Sequence, residues 1–201
     1  MQYIKRLAFC LAVIGCFSCG SSNQINEESP QFSVKWDEST LVCIAEEGGY
    51  PRMKRLNNGA LLVAYENRKG DVLVKQSVDG GITWNEAVMV FSGFEYFNEE
   101  NGLAAKINIA NPEFIQLRNN DILMACNLRP NKDEVYPFSI AIKRSRDNGK
   151  MWSAEQIVYR AAPRFSDGCW EPCFLLLPDG RLQLYFANEF PINIPMSKKY
   201  R

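Results

Sequence analysis

An octapeptide that occurs twice constrains the fold of this chain more than any other feature. Ser77-Val78-Asp79-Gly80-Gly81-Ile82-Thr83-Trp84 is echoed by Ser145-Arg146-Asp147-Asn148-Gly149-Lys150-Met151-Trp152, with Ser, Asp, Gly and Trp in the same four places. Each copy lies between two strand-like runs, 71–76 and 87–91 around the first, 138–144 and 155–160 around the second. A short polar stretch with Asp and Gly between such runs reads as a hairpin turn. The Asp carboxylate can accept backbone N–H groups across the turn, and Gly supplies a positive φ at little cost. The Trp folds back beneath as an apolar plug whose N–H seeks a carbonyl.

The octapeptides are in phase with a longer repeat. Tyr50-Pro51-Arg52, Asn111-Pro112-Glu113 and Glu171-Pro172-Cys173 open three matching segments, and their prolines lie 61 and 60 residues apart. Such self-similarity marks a repeat architecture. The units are strands and turns without helical periodicity, so the expected fold is all-β, a β-propeller of four-stranded blades. The first blade is expected at 51–56, 60–65, 71–76 and 87–91, and the second at 112–117, 121–128, 138–144 and 156–160. A third begins with 172–177 and 181–187. Residues 32–44 read as a leading extended segment, able to complete a last blade, and 92–108 as a long and therefore functional or mobile loop. Six blades at this period would need roughly 360 residues. The expectation is thus an incomplete propeller of about two and a half to three blades over 32–201.

Composition removes several kinds of chemistry. The 23 Lys and Arg balance the 23 Asp and Glu, with no basic run, which argues against nucleic acid as a partner. There is no histidine. Ser-His and Cys-His nucleophiles, most zinc sites and imidazole acid–base catalysis are therefore excluded. Catalysis must rest on carboxylates, arginine, tyrosine or cysteine, and no metal or organic cofactor is expected.

Residues 1–19 read as a lipoprotein-type signal peptide. Lys5 and Arg6 precede an apolar stretch, 7–15, that is too short to span a bilayer. Val13-Ile14-Gly15-Cys16 resembles a bacterial lipobox, and Cys19 before Gly20-Ser21-Ser22 is the competing lipidation site. Either makes the protein an exported, membrane-anchored bacterial lipoprotein, in the periplasm or at the cell surface, with 20–31 as a polar tether. In the folded part, Cys43, Cys126, Cys169 and Cys173 read as small buried apolar residues, a Cys43–Cys126 bridge staying open.

Strand direction decides which residues share a face. The octapeptides join the third and fourth strands of a blade, at the end opposite to where the first strand starts. They are therefore read as structural staples: Ser77, Asp79, Gly81 and Trp84, then Ser145, Asp147, Gly149 and Trp152. The other end carries the residues flanking each proline and those seventeen positions after it, Arg68, Arg129 and Glu189. With Arg52 and Glu171 they suggest a polar funnel. Its guanidinium forks suit a carboxylate or hydroxyl-rich ligand, and its glutamates could include a general acid/base. The alternative is a set of solvated loop charges that pair with one another.

The Ser-x-Asp-x-Gly-x-x-Trp octapeptides resemble the Asp-box (BNR) repeats of the sialidase superfamily, six-bladed propeller glycosidases that remove terminal sugars. Tyr50-Pro51-Arg52 through Ala64-Tyr65-Glu66-Asn67-Arg68 is similar to the opening of such domains. That resemblance implies that Arg52 helps to clasp a sugar carboxylate and that Arg68 is a neighbouring active-site arginine. Trp170-Glu171-Pro172 through Tyr185-Phe186 also resembles exo-arabinanases of the same superfamily, which implies that Glu171 is a catalytic carboxylate of a retaining mechanism. The resemblance spans about residues 36–190. The function so implied is that of the N-terminal part of an exported exo-glycosidase acting on glycans, with its nucleophile on blades beyond those present. The alternatives are a non-catalytic carbohydrate-binding propeller and a truncated, inactive gene fragment.

Overall fold

The structure is a computed structural model and describes residues 33–189. The signal peptide, the tether, Cys16 and Cys19 lie outside the described residues, as does 190–201. The chain divides into two units, Met1–Ser39 and Thr40–Arg201, and every strand belongs to the second. The expected extended segment at 32–44 is not a strand in its described part. The Asp37 carboxylate accepts the Ser39 N–H at 3.1 Å and its hydroxyl at 2.6 Å, and a 3-10 turn covers Glu38–Thr40. Local side-chain bonds of this kind compete with ladder formation.

Three antiparallel sheets follow one another. The first is β1 (Gly49–Arg55), β2 (Leu61–Glu66), β3 (Val72–Ser77) and β4 (Val88–Phe91), paired in chain order. The second is β5 (Phe94–Asn98), β6 (Leu103–Gln116), β7 (Ile122–Pro130), β8 (Ser139–Ser145) and β9 (Gln156–Arg160). The third is the hairpin of β10 (Cys169–Leu176) and β11 (Leu182–Asn188). The supposed loop at 92–108 is a hairpin, because β6 starts at Leu103 and pairs with β5 from Phe94↔Ile107 to Asn98↔Leu103. The prolines do not open their strands either; they sit inside them, at register shifts between Gly49 and Arg52, Ala110 and Glu113, and Trp170 and Cys173. Each shift is a bulge, and the residue before each proline takes a left-handed conformation: Tyr50 at φ 46°, Asn111 at 51° and Glu171 at 52°.

The sheets stack face to face, and β7 shows why. Ile122, Met124, Cys126 and Leu128 pack toward the first sheet, in one core with Leu62, Val72, Val74, Phe91, Ile107 and Phe114. Ala125 on its other face joins Phe138, Ile140, Cys169 and Phe174 against the third sheet. A middle strand covered on both faces reads as a continuous apolar run, as β7 does. The inner strands β1 and β10 both touch β6, so the first strand of each unit lies toward a common centre. Of the four cysteines expected to be buried, Cys126 and Cys169 are; Cys43 and Cys173 are exposed, and all four are free thiols. Burial pushes the Cys169 thiol up to about 12.

The two octapeptides form the same turn. The Asp79 carboxylate accepts the Ile82 and Thr83 N–H groups at 3.1 and 2.9 Å, and that of Asp147 accepts Lys150 and Met151 at 3.1 and 2.9 Å. Ser77 and Ser145 accept the Gly81 and Gly149 N–H groups, each at 2.8 Å. The Trp84 and Trp152 indoles donate to the Gly81 and Gly149 carbonyls, both at 3.1 Å. Gly81 and Gly149 hold φ of 99° and 91°, where a side chain would be strained. Ser77 pairs with Leu61, so these turns sit at the end of the sheets where β1 leads into β2, away from Arg68.

Candidate functional site

At the opposite end, the turn after β2 meets β6 and the end of β7. The turn is rigid: Asn67 Oδ1 accepts the Lys69 and Asp71 N–H groups, both at 2.9 Å. The Gly70 carbonyl accepts the Ile109 N–H at 2.8 Å, tying the first sheet to the second. Gly70 has φ 83°, and a Cβ there would meet the Asn108 side chain at 2.3 Å, so only glycine lets the sheets approach so closely. Between them opens a cleft of about 470 Å³, lined by Glu66, Asn67, Arg68, Asn108, Arg129 and Asn131, with Phe165 at its lip.

The cleft brings together two of the residues expected from the repeat, Arg68 and Arg129. Arg68 is exposed and its nearest carboxylate, Glu47, is 3.8 Å away, too loose and too wet to hold the guanidinium. Arg129 lies over the Trp170 ring at 5.6 Å, a cation–π contact that leaves its N–H donors available. The remaining expected residues stand elsewhere. Arg52, midway along β1, faces Glu113 at 3.6 Å, and Lys54 joins the same carboxylate. Glu189 accepts the Trp170 indole N–H at 3.0 Å. Glu171 is exposed on the bulge of β10 and does not line the cleft.

Glu171 is nonetheless held by a device that recurs. Its backbone N–H donates to Asn127 Oδ1 at 3.1 Å, and Asn127 Nδ2 donates to the Cys169 carbonyl. One repeat earlier, the Asn111 N–H donates to Glu66 Oε2 at 3.0 Å. A polar side chain near the end of one blade's second strand thus clasps the left-handed residue of the next blade. Glu66 and Asn127 were not among the expected site residues. The signal for them is present in the chain, since each is a polar residue fifteen positions after its repeat's proline, directly following an apolar run. Asn67, Asn108, Asn131 and Phe165 carry no such signal; they meet only through packing.

The arrangement is a polar cleft rich in donors: two guanidinium groups and three amides around one carboxylate. Among the described residues no three His, Cys, Asp or Glu side chains converge as a metal would require. An α-L-arabinanase of Penicillium chrysogenum, solved with arabinobiose, superposes on the chain with a TM-score of 0.52 and 25% identity. The chain resembles the β-propeller glycosidases. A GH93 α-L-arabinofuranosidase of Fusarium graminearum, also solved with arabinobiose, gives a TM-score of 0.54 at 21% identity, a likeness of fold. A Hadza microbial sialidase aligns over 56% of the chain with a TM-score of 0.44 at 18% identity and 26% of its own length, too loosely to bear on function. The alignments with the arabinanase and the arabinofuranosidase cover 73% and 71% of this chain but only 42% and 41% of theirs, so the chain spans less than half of either propeller glycosidase. No protein-family model matches the sequence, and no curated protein does.

Proposed function

We propose that this chain is part of an exported glycoside hydrolase of the sialidase-like superfamily, which takes a terminal sugar of a glycan into the cleft between its first two blades. The observation that carries this reading is the meeting of Arg68 and Arg129 there. They are equivalent by repeat, neither is neutralised by a close carboxylate, and they face the rim away from the octapeptide staples. Their forks can grip hydroxyls or a sugar carboxylate, and the amides of Asn67, Asn108 and Asn131 supply further donors. In this reading the octapeptides are Asp boxes; the resemblance to exo-arabinanases makes Glu171 the general acid/base of a retaining reaction, although it stands outside the cleft lining. The lipobox-like Val13-Ile14-Gly15-Cys16 and the alternative Cys19 support export and lipid anchoring; mass analysis of the mature N-terminus in Cys16→Ser and Cys19→Ser variants decides between them.

A second reading, glycan binding without turnover, is favoured by one fact. Retaining hydrolysis needs two carboxylates about 5–5.5 Å apart across the sugar, whereas the cleft lining contains the single carboxylate of Glu66. Calorimetric titration with arabinobiose and with sialyllactose tests the binding common to both readings. Arg68→Ala and Arg129→Ala should each weaken the bound sugar by about tenfold, the loss of one charge-assisted hydrogen bond. Unchanged affinity in both would remove the cleft from consideration. Chromogenic arabinosides and sialosides, offered to a chain that carries the remaining blades, then separate the readings: turnover that Glu171→Gln abolishes establishes the hydrolase, and binding without turnover there establishes the second reading.

A further inference from the structure

Phe165 is an exposed aromatic residue that the fold takes trouble to hold still. It opens a 3-10 turn, Phe165–Asp167, between β9 and β10. Its N–H donates to Asp133 Oδ1 at 3.0 Å, and its carbonyl accepts the Gly168 N–H at 3.4 Å. The preceding residue, Arg164, pairs with Glu134, whose own N–H reaches the Pro163 carbonyl at 2.6 Å. Two loops are thereby bolted together around a ring that is still 56% exposed. A lone exposed apolar residue ordinarily needs no explanation. This one closes a stack of aromatic rings and lies on the lip of a polar cleft.

The stack begins in the core. Phe138, fully buried, meets the Trp170 ring edge-on at 5.0 Å, and Trp170 lies 4.8 Å from Phe165 at a tilt of 49°. Trp170 is held on two sides: its indole N–H is taken by Glu189, and Arg129 covers its ring. Gly168 leaves room for it, since a Cβ there would fall 2.6 Å from Trp170 Cζ2. Phe165 also meets Phe138 edge-on at 6.1 Å, so the three rings form one cluster, and Phe165 is the one aromatic side chain in the cleft lining, facing the same space as Arg68, Arg129 and the three asparagines.

A sugar ring has two kinds of surface, an equator of hydroxyls and a face of C–H groups. Donors such as Arg129 and Asn131 satisfy the first; only an apolar plane satisfies the second. We propose that Phe165, fixed by Trp170 and by the Asp133 and Glu134 loop, is a stacking subsite for the C–H face of a furanose or pyranose ring whose hydroxyls face Arg129. This rests on the glycan-binding reading above and assigns one wall of the cleft.

The test is calorimetry on the full chain with arabinobiose and sialyllactose as probes. Phe165→Ala and Phe165→Leu should each raise Kd on the order of tenfold for at least one probe, while Phe165→Tyr stays within about twofold. The Leu variant keeps the loop's bulk, and the near-ultraviolet dichroism of Trp170 reports whether the stack survives in each. Sugar saturation should also shift Trp emission in a Trp36→Phe background, and this shift should vanish when Trp170→Phe is added, because Trp84 and Trp152 lie at the other end of the sheets. Wild-type affinity in both Phe165→Ala and Phe165→Leu, with Arg129→Ala weakened, overturns the subsite and leaves the cleft standing. If neither probe binds the wild-type chain, both fall.

Discussion

Asn127 concentrates more consequence in one side chain than any other residue here. It is wholly buried, accepts the Glu171 N–H and donates to the Cys169 carbonyl. The residue it clasps carries a left-handed φ of 52°, a conformation that costs an L-residue roughly 1–2 kcal/mol. Asn127→Ala takes the partner from a part-buried N–H and a buried carbonyl at once, so urea unfolding should show a loss of about 2 kcal/mol. A loss under about 1 kcal/mol would mean that the bulge holds itself. The staple aspartates make a prediction in pH. The Thr83 hydroxyl first, then the Thr83 N–H and the Ser77 hydroxyl, hold the Asp79 carboxyl far below its ordinary 3.8. At Asp147 burial works against ionisation, and the Met151 N–H and Ser145 hydroxyl outweigh it, leaving that carboxyl lowered too. A carboxyl depressed in the folded state adds stability that is present above the unfolded value and lost as pH falls through the folded one. The urea midpoint should therefore be flat near neutrality and fall below about pH 4. In Asp79→Asn/Asp147→Asn that acid slope should shrink; an unchanged slope would place it on other carboxylates.

At the scale of elements, the bulges decide how sheets meet. Ile107 and Ile109 share a face of β6 with Phe114, although Phe114 lies an odd number of positions after Ile109. The extra residue of the bulge reverses the parity. This is why 92–108 reads as a loop in the sequence: the alternation before Asn111 and the alternation after it are out of phase, and only one half aligns with the other blades. The connection between β4 and β5 is equally strict. A Cβ at Gly93 would lie 2.8 Å from the Gly70 carbonyl oxygen and 3.0 Å from that of Ile107, both backbone atoms that cannot step aside. Gly93→Ala should cost about 2 kcal/mol by overpacking and should loosen the cleft wall at Gly70; a variant as stable as the wild type would show that the two sheets have slack there. Lys75 and Lys143 stand at matching positions, two residues before Ser77 and Ser145. Their ammonium groups donate to the Ile44 and Val90 carbonyls, at 2.9 and 2.8 Å. Residue 44 therefore meets the first sheet as β4 meets the second, though no ladder forms there.

For the molecule as a whole, the cores are not independent. The first two sheets share one apolar cluster, and β7 and β8 carry a second on their other faces against the third sheet. Damage deep in the first should therefore be felt in the third. Phe114→Ala, at a fully buried position on β6, should cost about 3–5 kcal/mol. The near-ultraviolet signal of Trp170 should melt with that of Trp152 in one transition, in the variant as in the wild type. Separate transitions would show that the third sheet folds on its own.

The sequence by itself determined the repeat, the form of both octapeptide turns and the blade strands to within about three residues, except β5 and the first half of β6, which it read as a loop. All of these rest on contacts close along the chain or on apolar alternation, and a period of about 60 residues copies them. It also determined that Arg68 and Arg129 occupy equivalent places, since equal spacing in a repeat means equal position on a blade. What only the tertiary structure decided is which side chains meet across blades. Glu66 with Asn111, Asn127 with Glu171, Glu189 with Trp170 and Phe165 with the cleft each join segments that no local pattern links. The left-handed bulges belong to this second group. At Asn111 and Glu171 the backbone is held by a side chain from a neighbouring sheet, so the repeated proline marks the place of the bulge in the sequence but not its conformation.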